Sequence, residues 1–109
     1  MIKAIEERDF QAFADITIRD SNQFHAICQD TFPPCVYMNQ TSHSVSALVH
    51  QLNEYFGEMV ACYTFDAGPN ACIFLLEKVR LLMMLNISHH SALCSVCWAR
   101  GRPPSALLQ

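Results

Sequence analysis

Tyr63-Thr64-Phe65-Asp66-Ala67-Gly68-Pro69-Asn70-Ala71 joins two apolar runs, Val60 to Phe65 before it and Ala71 to Leu76 after it. Both runs are rich in branched and aromatic residues and the loop between them is short, so the segment reads as strand, turn, strand. Ala61, Tyr63 and Phe65 alternate with Val60, Cys62 and Thr64, and the second run is apolar throughout. That predicts a ribbon buried on both faces rather than half solvated. An unpaired carboxylate beside buried strands is costly, so Asp66 either starts the turn or does chemistry. Turn formation accounts for the whole loop. An Asp side chain bonds the amide two residues on, Gly68 can take positive φ, and Pro69 presets φ for the return strand. The alternative is that the loop fixes the Asp66 carboxylate as a general base, with Ala67, Gly68 and Asn70 forming an approach where a substrate comes close to the backbone. The local sequence leaves both readings open.

Upstream, Asp9 to Cys28 carries a helical pattern. Phe10, Ala14, Thr17, Ser21, Phe24 and Cys28 recur at spacings of four and three, which places them on one stripe. Thr17 and Ser21, small and polar, suit close packing on that stripe. His25 beside it reads as a hydrogen-bonded packing residue, and Asn22 and Gln23 as partners of nearby backbone. Pro33-Pro34 stops the helix. Ser42 is expected to cap a second helix, whose apolar face is Val45, Leu48, Val49, Leu52, Tyr55 and Phe56, with Gly57 just past its end. A short helix over Ile2 to Arg8 precedes all of this. Helix, helix, strand, strand is an α+β order: two amphipathic helices packed on part of an antiparallel sheet. Two strands are marginal alone, so strands outside this chain are expected to complete the sheet.

At 109 residues the chain has room for one small domain. Apolar content is 51% and charged content 16%, against about 25% charged in ordinary domains, which excludes an intrinsically disordered chain. The net charge of -3, with seven dispersed basic residues, gives no footprint for nucleic acid. Met1 is followed at once by a charged helical pattern, unlike a secretory signal. The apolar stretch from Ala71 to Ile87 is broken by Glu77, Lys78 and Arg80 and falls short of the ~20 apolar residues a membrane span needs. The expected setting is the cytosol. The six cysteines, at 28, 35, 62, 72, 94 and 97, then read as free thiols rather than a disulfide framework.

The phrase Tyr63 to Ala71 resembles the C-terminal signature of the diphosphomevalonate decarboxylase family, within the GHMP kinase superfamily. Asp20-Ser-Asn-Gln-Phe-His25-Ala, followed by Asp30-Thr-Phe-Pro-Pro34, is similar to the helix and Pro-Pro break upstream of that signature, in the same order and at a matching interval. Two long motifs in register are far more specific than one short pattern. The resemblance covers about Ile2 to Leu76. It implies an enzyme that uses MgATP to phosphorylate the tertiary hydroxyl of mevalonate 5-diphosphate. Phosphate and CO2 are then lost to give isopentenyl diphosphate for isoprenoid and sterol synthesis. The family's catalytic carboxylate falls on Asp66, where it would orient the hydroxyl and accept its proton. The family also implies a homodimer. No Gly- or Ser-rich phosphate loop opens a helix here, so ATP and Mg2+ are expected to bind in a region outside this chain. The chain is therefore expected to be part of the C-terminal domain, inactive alone.

After Leu76 the resemblance ends, and 77–109 reads as a divergent tail of low order with a possible helix over Val79 to Ile87. Two other readings attach to this chain. His89 or His90 with Cys94 and Cys97 resembles a zinc half-site, although a single half-site is weak and no metal ligands are assigned from it. The apolar helix stripe and the ribbon could instead dock on another protein, including the intact enzyme.

Overall fold

In the computed structural model, which describes residues 1–88 and 100–101, eight elements follow in order. They are α1 (Ile2–Glu6), α2 (Phe10–Asp30), α3 (Gln40–Phe56), β1 (Ala61–Phe65), β2 (Ala71–Leu76), a 3-10 turn (Glu77–Val79), α4 (Arg80–Ser88) and β3 (Arg100–Gly101). This is the expected α+β arrangement. Asp9 starts α2 by accepting the Ala12 N–H at 3.1 Å, which satisfies one of the amides left over at a helix start. The helix ends at Asp30 with Thr31 extended, ahead of the two prolines that cannot continue it.

α3 begins earlier than expected. Its cap is Asn39, whose Oδ1 accepts the Ser42 N–H at 3.0 Å while Ser42 Oγ accepts the Asn39 N–H at 3.2 Å. Ser42 is therefore the third residue of a reciprocal capping box, not the cap itself. Gly57 closes the helix with φ of 67°, the left-handed ending that glycine makes cheap.

β1 and β2 are antiparallel, in register from Ala61↔Leu75 to Phe65↔Ala71. β3 adds a two-residue parallel pairing to β2, at Leu75↔Arg100 and Leu76↔Gly101. Directly opposed residues share a face, so Ala61, Tyr63 and Phe65 lie with Leu75, Ile73 and Ala71. All six are buried. On the opposite face Cys62 is buried, but Thr64, Cys72, Phe74 and Leu76 are only half-buried. The ribbon is thus covered fully on one face and partly on the other. The second face meets the start of α2, where Phe13 packs edge-to-face on Phe74 at 5.3 Å between ring centroids.

The helix stripes differ from the sequence pattern at their ends. In α2 the buried residues are Ala14, Thr17, Ile18, Ser21 and His25, whereas Phe24 is 43% exposed and Cys28 half-buried. Both stripes obey helical spacing and part company after Ser21. His25 wins over Phe24 because this end of the helix faces strand backbone, which needs a polar partner. In α3, Val45, Val49 and Leu52 are buried as expected. Tyr55 and Phe56 lie outside and Asn53 turns inward, again toward strand backbone. Beyond the ribbon the chain continues through the 3-10 turn into α4, which ends at Ser88. Helix α4 matches the expected helical segment, and Val79 and Met83 are buried in the same core as Val49, Val60 and Ile73. Each large apolar side chain buried there contributes about 1.5–3 kcal/mol.

Candidate active site

β1 is an edge strand on the side away from β2. Its backbone alternates, with Val60 C=O accepting from Leu76 N–H at 2.9 Å, so Ala61 and Phe65 direct their N–H and C=O groups outward. Both are met by helix side chains. At Ala61, Asn53 Oδ1 accepts the N–H at 3.0 Å and Asn53 Nδ2 donates to the C=O at 2.9 Å; the same Oδ1 accepts the Val60 N–H at 2.8 Å. At Phe65, Ser21 Oγ accepts the N–H at 3.1 Å and His25 Nε2 lies 2.9 Å from the C=O. A carbonyl only accepts, so His25 carries its proton on Nε2. Side chains of α2 and α3 stand where a neighbouring strand would, which also blocks edge-to-edge pairing.

Two further bridges tie the strand to the helices. Tyr63 Oη donates to Asn22 Oδ1 at 3.0 Å and lies 3.1 Å from His50 Nε2. Asn22 thus binds a side chain across the fold, not its neighbouring backbone as expected. Gln11 grips the Met59 backbone in both directions, at 3.0 and 2.8 Å. Burial raises the pKa of Tyr63 and pushes the Cys62 thiol up to about 12, although Thr17 hydrogen-bonds it. Of the four described cysteines only Cys62 is buried; Cys28, Cys35 and Cys72 are half-buried.

The loop after Phe65 is where the sequence-assigned residues meet. Asp66, Ala67 and Asn70 are exposed and Gly68 is half-buried, so the loop is an open lip at the end of a buried strand. The bend is made by main chain: Gly68 N–H donates to the Asp66 C=O at 2.8 Å, a contact over three residues. The expected bond from the Asp66 side chain to that amide is absent. Among the described residues the Asp66 carboxylate makes no hydrogen bond or ion pair. Gly68 does not take positive φ, and a Cβ there would meet nothing within 4 Å. Its flexibility is not used by the turn; what it leaves is open space beside the backbone. The far end of the loop is held by Ser42, whose Oγ donates to the Pro69 C=O at 2.9 Å.

Sequence reasoning singled out Asp66, Ala67, Gly68 and Asn70 but assigned no function to Ser21, His25, Ser42 or Asn53. A signal existed for the first pair: Ser21 and His25 stand four residues apart, hence on one face of the helix. None existed for the Pro69 contact of Ser42, 27 positions away, or for Asn53, whose partners at Val60 and Ala61 are near in sequence but form a strand edge only once β1 packs against α3. Four described basic residues pair elsewhere: Lys3 with Glu7, Arg19 with Asp15, Lys78 with Glu58 and Arg80 with Glu77. No group of three potential metal ligands forms among the described residues. His89, His90, Cys94 and Cys97 lie outside them.

A family model described as "Mevalonate 5-diphosphate decarboxylase C-terminal domain" matches residues 1–98, further than Leu76, where the resemblance was expected to stop. The diphosphomevalonate decarboxylase of Rattus norvegicus is 58% identical over 89 residues, which is 82% of this chain and 22% of that protein. Its counterpart from Danio rerio is 57% identical over 77 residues, or 71% and 19%. A crystal structure of mevalonate 5-diphosphate decarboxylase superposes with a TM-score of 0.63 at 54% identity, over 65% of this chain and 18% of the other. The mevalonate diphosphate decarboxylase from Trypanosoma brucei gives a TM-score of 0.63 at 26% identity, over 78% and 29%. The chain spans about a fifth of the length of the curated relatives it matches. With nine-tenths of its residues under that family model and more than half identical to such relatives where aligned, the chain belongs to the mevalonate 5-diphosphate decarboxylase C-terminal domain family.

Proposed function

We propose that this chain is part of a diphosphomevalonate decarboxylase and contributes its catalytic carboxylate, Asp66, to the ATP-dependent conversion of mevalonate 5-diphosphate to isopentenyl diphosphate. The observation that carries this reading is the state of that side chain. Turn formation would spend the Asp66 carboxylate on a nearby amide; instead the main-chain carbonyl makes the bend, and the carboxylate stands exposed, with no partner among the described residues, at the end of a fixed strand. A general base needs a free oxygen within hydrogen-bond reach of the proton it takes. Asp66 would hold the substrate's tertiary hydroxyl and accept its proton as that oxygen bonds to phosphorus. Ala67, Gly68 and Asn70 would border the approach, with the space beside Gly68 left for the substrate.

The described residues do not fit a nucleotide or Mg2+ site of their own. The long helices open on Asp9-Phe10 and Asn39-Gln40 rather than on a glycine-rich loop, and no metal-binding cluster forms among the described residues. ATP and Mg2+ are therefore assigned to parts of the enzyme that this chain does not align with, and no step here runs through them. Positioning and electrostatics dominate phosphoryl transfer, so a carboxylate without those parts should give no turnover. No described helix is long and apolar enough to cross a membrane. The setting we assign is the cytosol, within isoprenoid and sterol synthesis, in an enzyme that acts as a homodimer.

The test places this chain in the Rattus norvegicus relative, in exchange for the segment it matches. Asp66→Asn should lower kcat by about 10²–10⁴-fold with the fold intact by circular dichroism. Near-normal isopentenyl diphosphate formation would refute the assignment. ATP-dependent CO2 release by the 109-residue chain alone would refute its dependence on the missing parts.

A further inference from the structure

The loop that carries Asp66 is held at both ends by buried polar side chains that the bend itself does not need. Ser21, His25 and Ser42 are 2%, 5% and 1% exposed, and buried polar groups are costly unless each has a partner. Each has a backbone partner close to Asp66, at Phe65 or Pro69, and Ser42 Oγ also bonds Asn39 within the capping box. We propose that Ser21, His25 and Ser42 are positioning residues for Asp66, setting the direction of its carboxylate without touching substrate. The inference rests on the reading of Asp66 as the proton acceptor.

The geometry gives each residue a distinct task. A single hydrogen bond to Phe65 would let the strand end pivot about it. Two bonds to the same residue, from side chains one helical turn apart, remove that rotation. The carbonyl gripped by His25 belongs to the peptide unit that includes the Asp66 nitrogen. Because that unit is planar, the His25 bond orients the plane from which Asp66 Cα departs. The imidazole is itself wedged among rings, with Phe24 at 5.1 Å and Tyr37 and Phe65 each at 6.3 Å between centroids. At the other end, Ser42 Oγ holds the Pro69 carbonyl while its amide is bound by Asn39. The loop is thus suspended between α2 and α3, with the Gly68–Asp66 bond bracing its middle. Asn53 provides a comparison at the other end of β1. There one amide side chain satisfies the strand edge.

The same grafted enzyme tests this, with kcat and KM measured separately. His25→Leu keeps volume and removes the donor; His25→Gln keeps a donor near the Nε2 position. A misplacement on the order of 1 Å costs up to about 10²-fold. His25→Leu should therefore lower kcat about 10–10²-fold with KM changed less than about twofold, and His25→Gln should recover most of the loss. Gln11→Ala removes a similar two-bond grip at Met59 and should lower stability with kcat unchanged. A folded His25→Leu enzyme with kcat within about twofold of the parent overturns the proposal, as does equal loss in His25→Leu and His25→Gln. If His25→Leu does not fold, Ser21→Ala and Ser42→Ala decide. Each should lower kcat several-fold, and full kcat in both overturns it. Asp66→Asn measured alongside separates the claims. Normal turnover in Asp66→Asn removes the base and this proposal with it. Lost turnover in Asp66→Asn with full kcat in His25→Leu removes this proposal alone.

Discussion

Replacing Asn53 by alanine should be among the most destabilising single changes in this chain. Asn53 is 8% exposed and makes three hydrogen bonds to the backbone of Val60 and Ala61, both wholly buried. Truncation leaves two N–H groups and one C=O unsatisfied at a buried strand edge. Each such group costs about 1–3 kcal/mol. The space vacated by the amide lets water reach some of them, so the low end applies and the sum is about 3–5 kcal/mol. A domain this small is stable by roughly 5–10 kcal/mol in total. In urea denaturation followed by far-UV circular dichroism, with a slope of about 1–1.5 kcal/mol/M, the midpoint should fall by roughly 2–5 M. Gln11→Ala is the internal reference. It too removes two backbone bonds, but at an exposed site where water replaces them, so its cost is about 0.5–1 kcal/mol. If Asn53→Ala shifts the midpoint no more than Gln11→Ala, the strand edge is not held as described and the reasoning fails.

The two described loop glycines should respond oppositely to alanine. Gly57 sits at φ 67°, so Gly57→Ala should cost about 1 kcal/mol; Gly68 has neither positive φ nor a crowding neighbour, so Gly68→Ala should be neutral or stabilising by up to about 1 kcal/mol. Equal losses in urea melts would contradict the loop geometry. Cys62 should make stability fall in alkali. Burial raises its thiol from an ordinary value of 9.0 to about 12, so between about pH 9 and 12 the unfolded chain gives up a proton that the folded chain keeps, and stability declines as pH rises. Below pH 9 both states hold the proton and this residue contributes no slope. Cys62→Val should flatten the decline above pH 9; an unchanged slope would discount Cys62. Tyr63, raised by burial from 10.0, adds a decline of the same sign above pH 10.

Much of the architecture was legible because it depends on local periodicity. The apolar runs on either side of Asp66, the helical spacing of Val45, Val49 and Leu52, and Gly57 as a terminator are properties of neighbouring residues, and they appear as read. The misreadings share one cause. Phe24, Tyr55 and Phe56 are apolar and correctly spaced, yet they lie outside while His25 and Asn53 point in. Hydrophobic pattern alone favours the aromatic residues. What decides against them is an open strand edge whose backbone groups require polar partners, and an edge does not exist until helices and strands are assembled. Ser42 suits a cap by residue type alone, yet its hydroxyl serves both the capping box and a carbonyl 27 residues away.

For the site, the sequence alone determined which residue carries the carboxylate and that it sits in a short loop between apolar strands, because motif and turn chemistry are written in consecutive residues. It could not choose between bend-former and base, since both use the same letters. The tertiary structure closed the bend with the Asp66 main-chain carbonyl and left the side chain without a partner among the described residues. It also brought Ser21, His25 and Ser42 to the two ends of the loop. Those groups are 24 to 45 positions from Asp66 along the chain, and only packing of α2 and α3 against β1 makes them its neighbours.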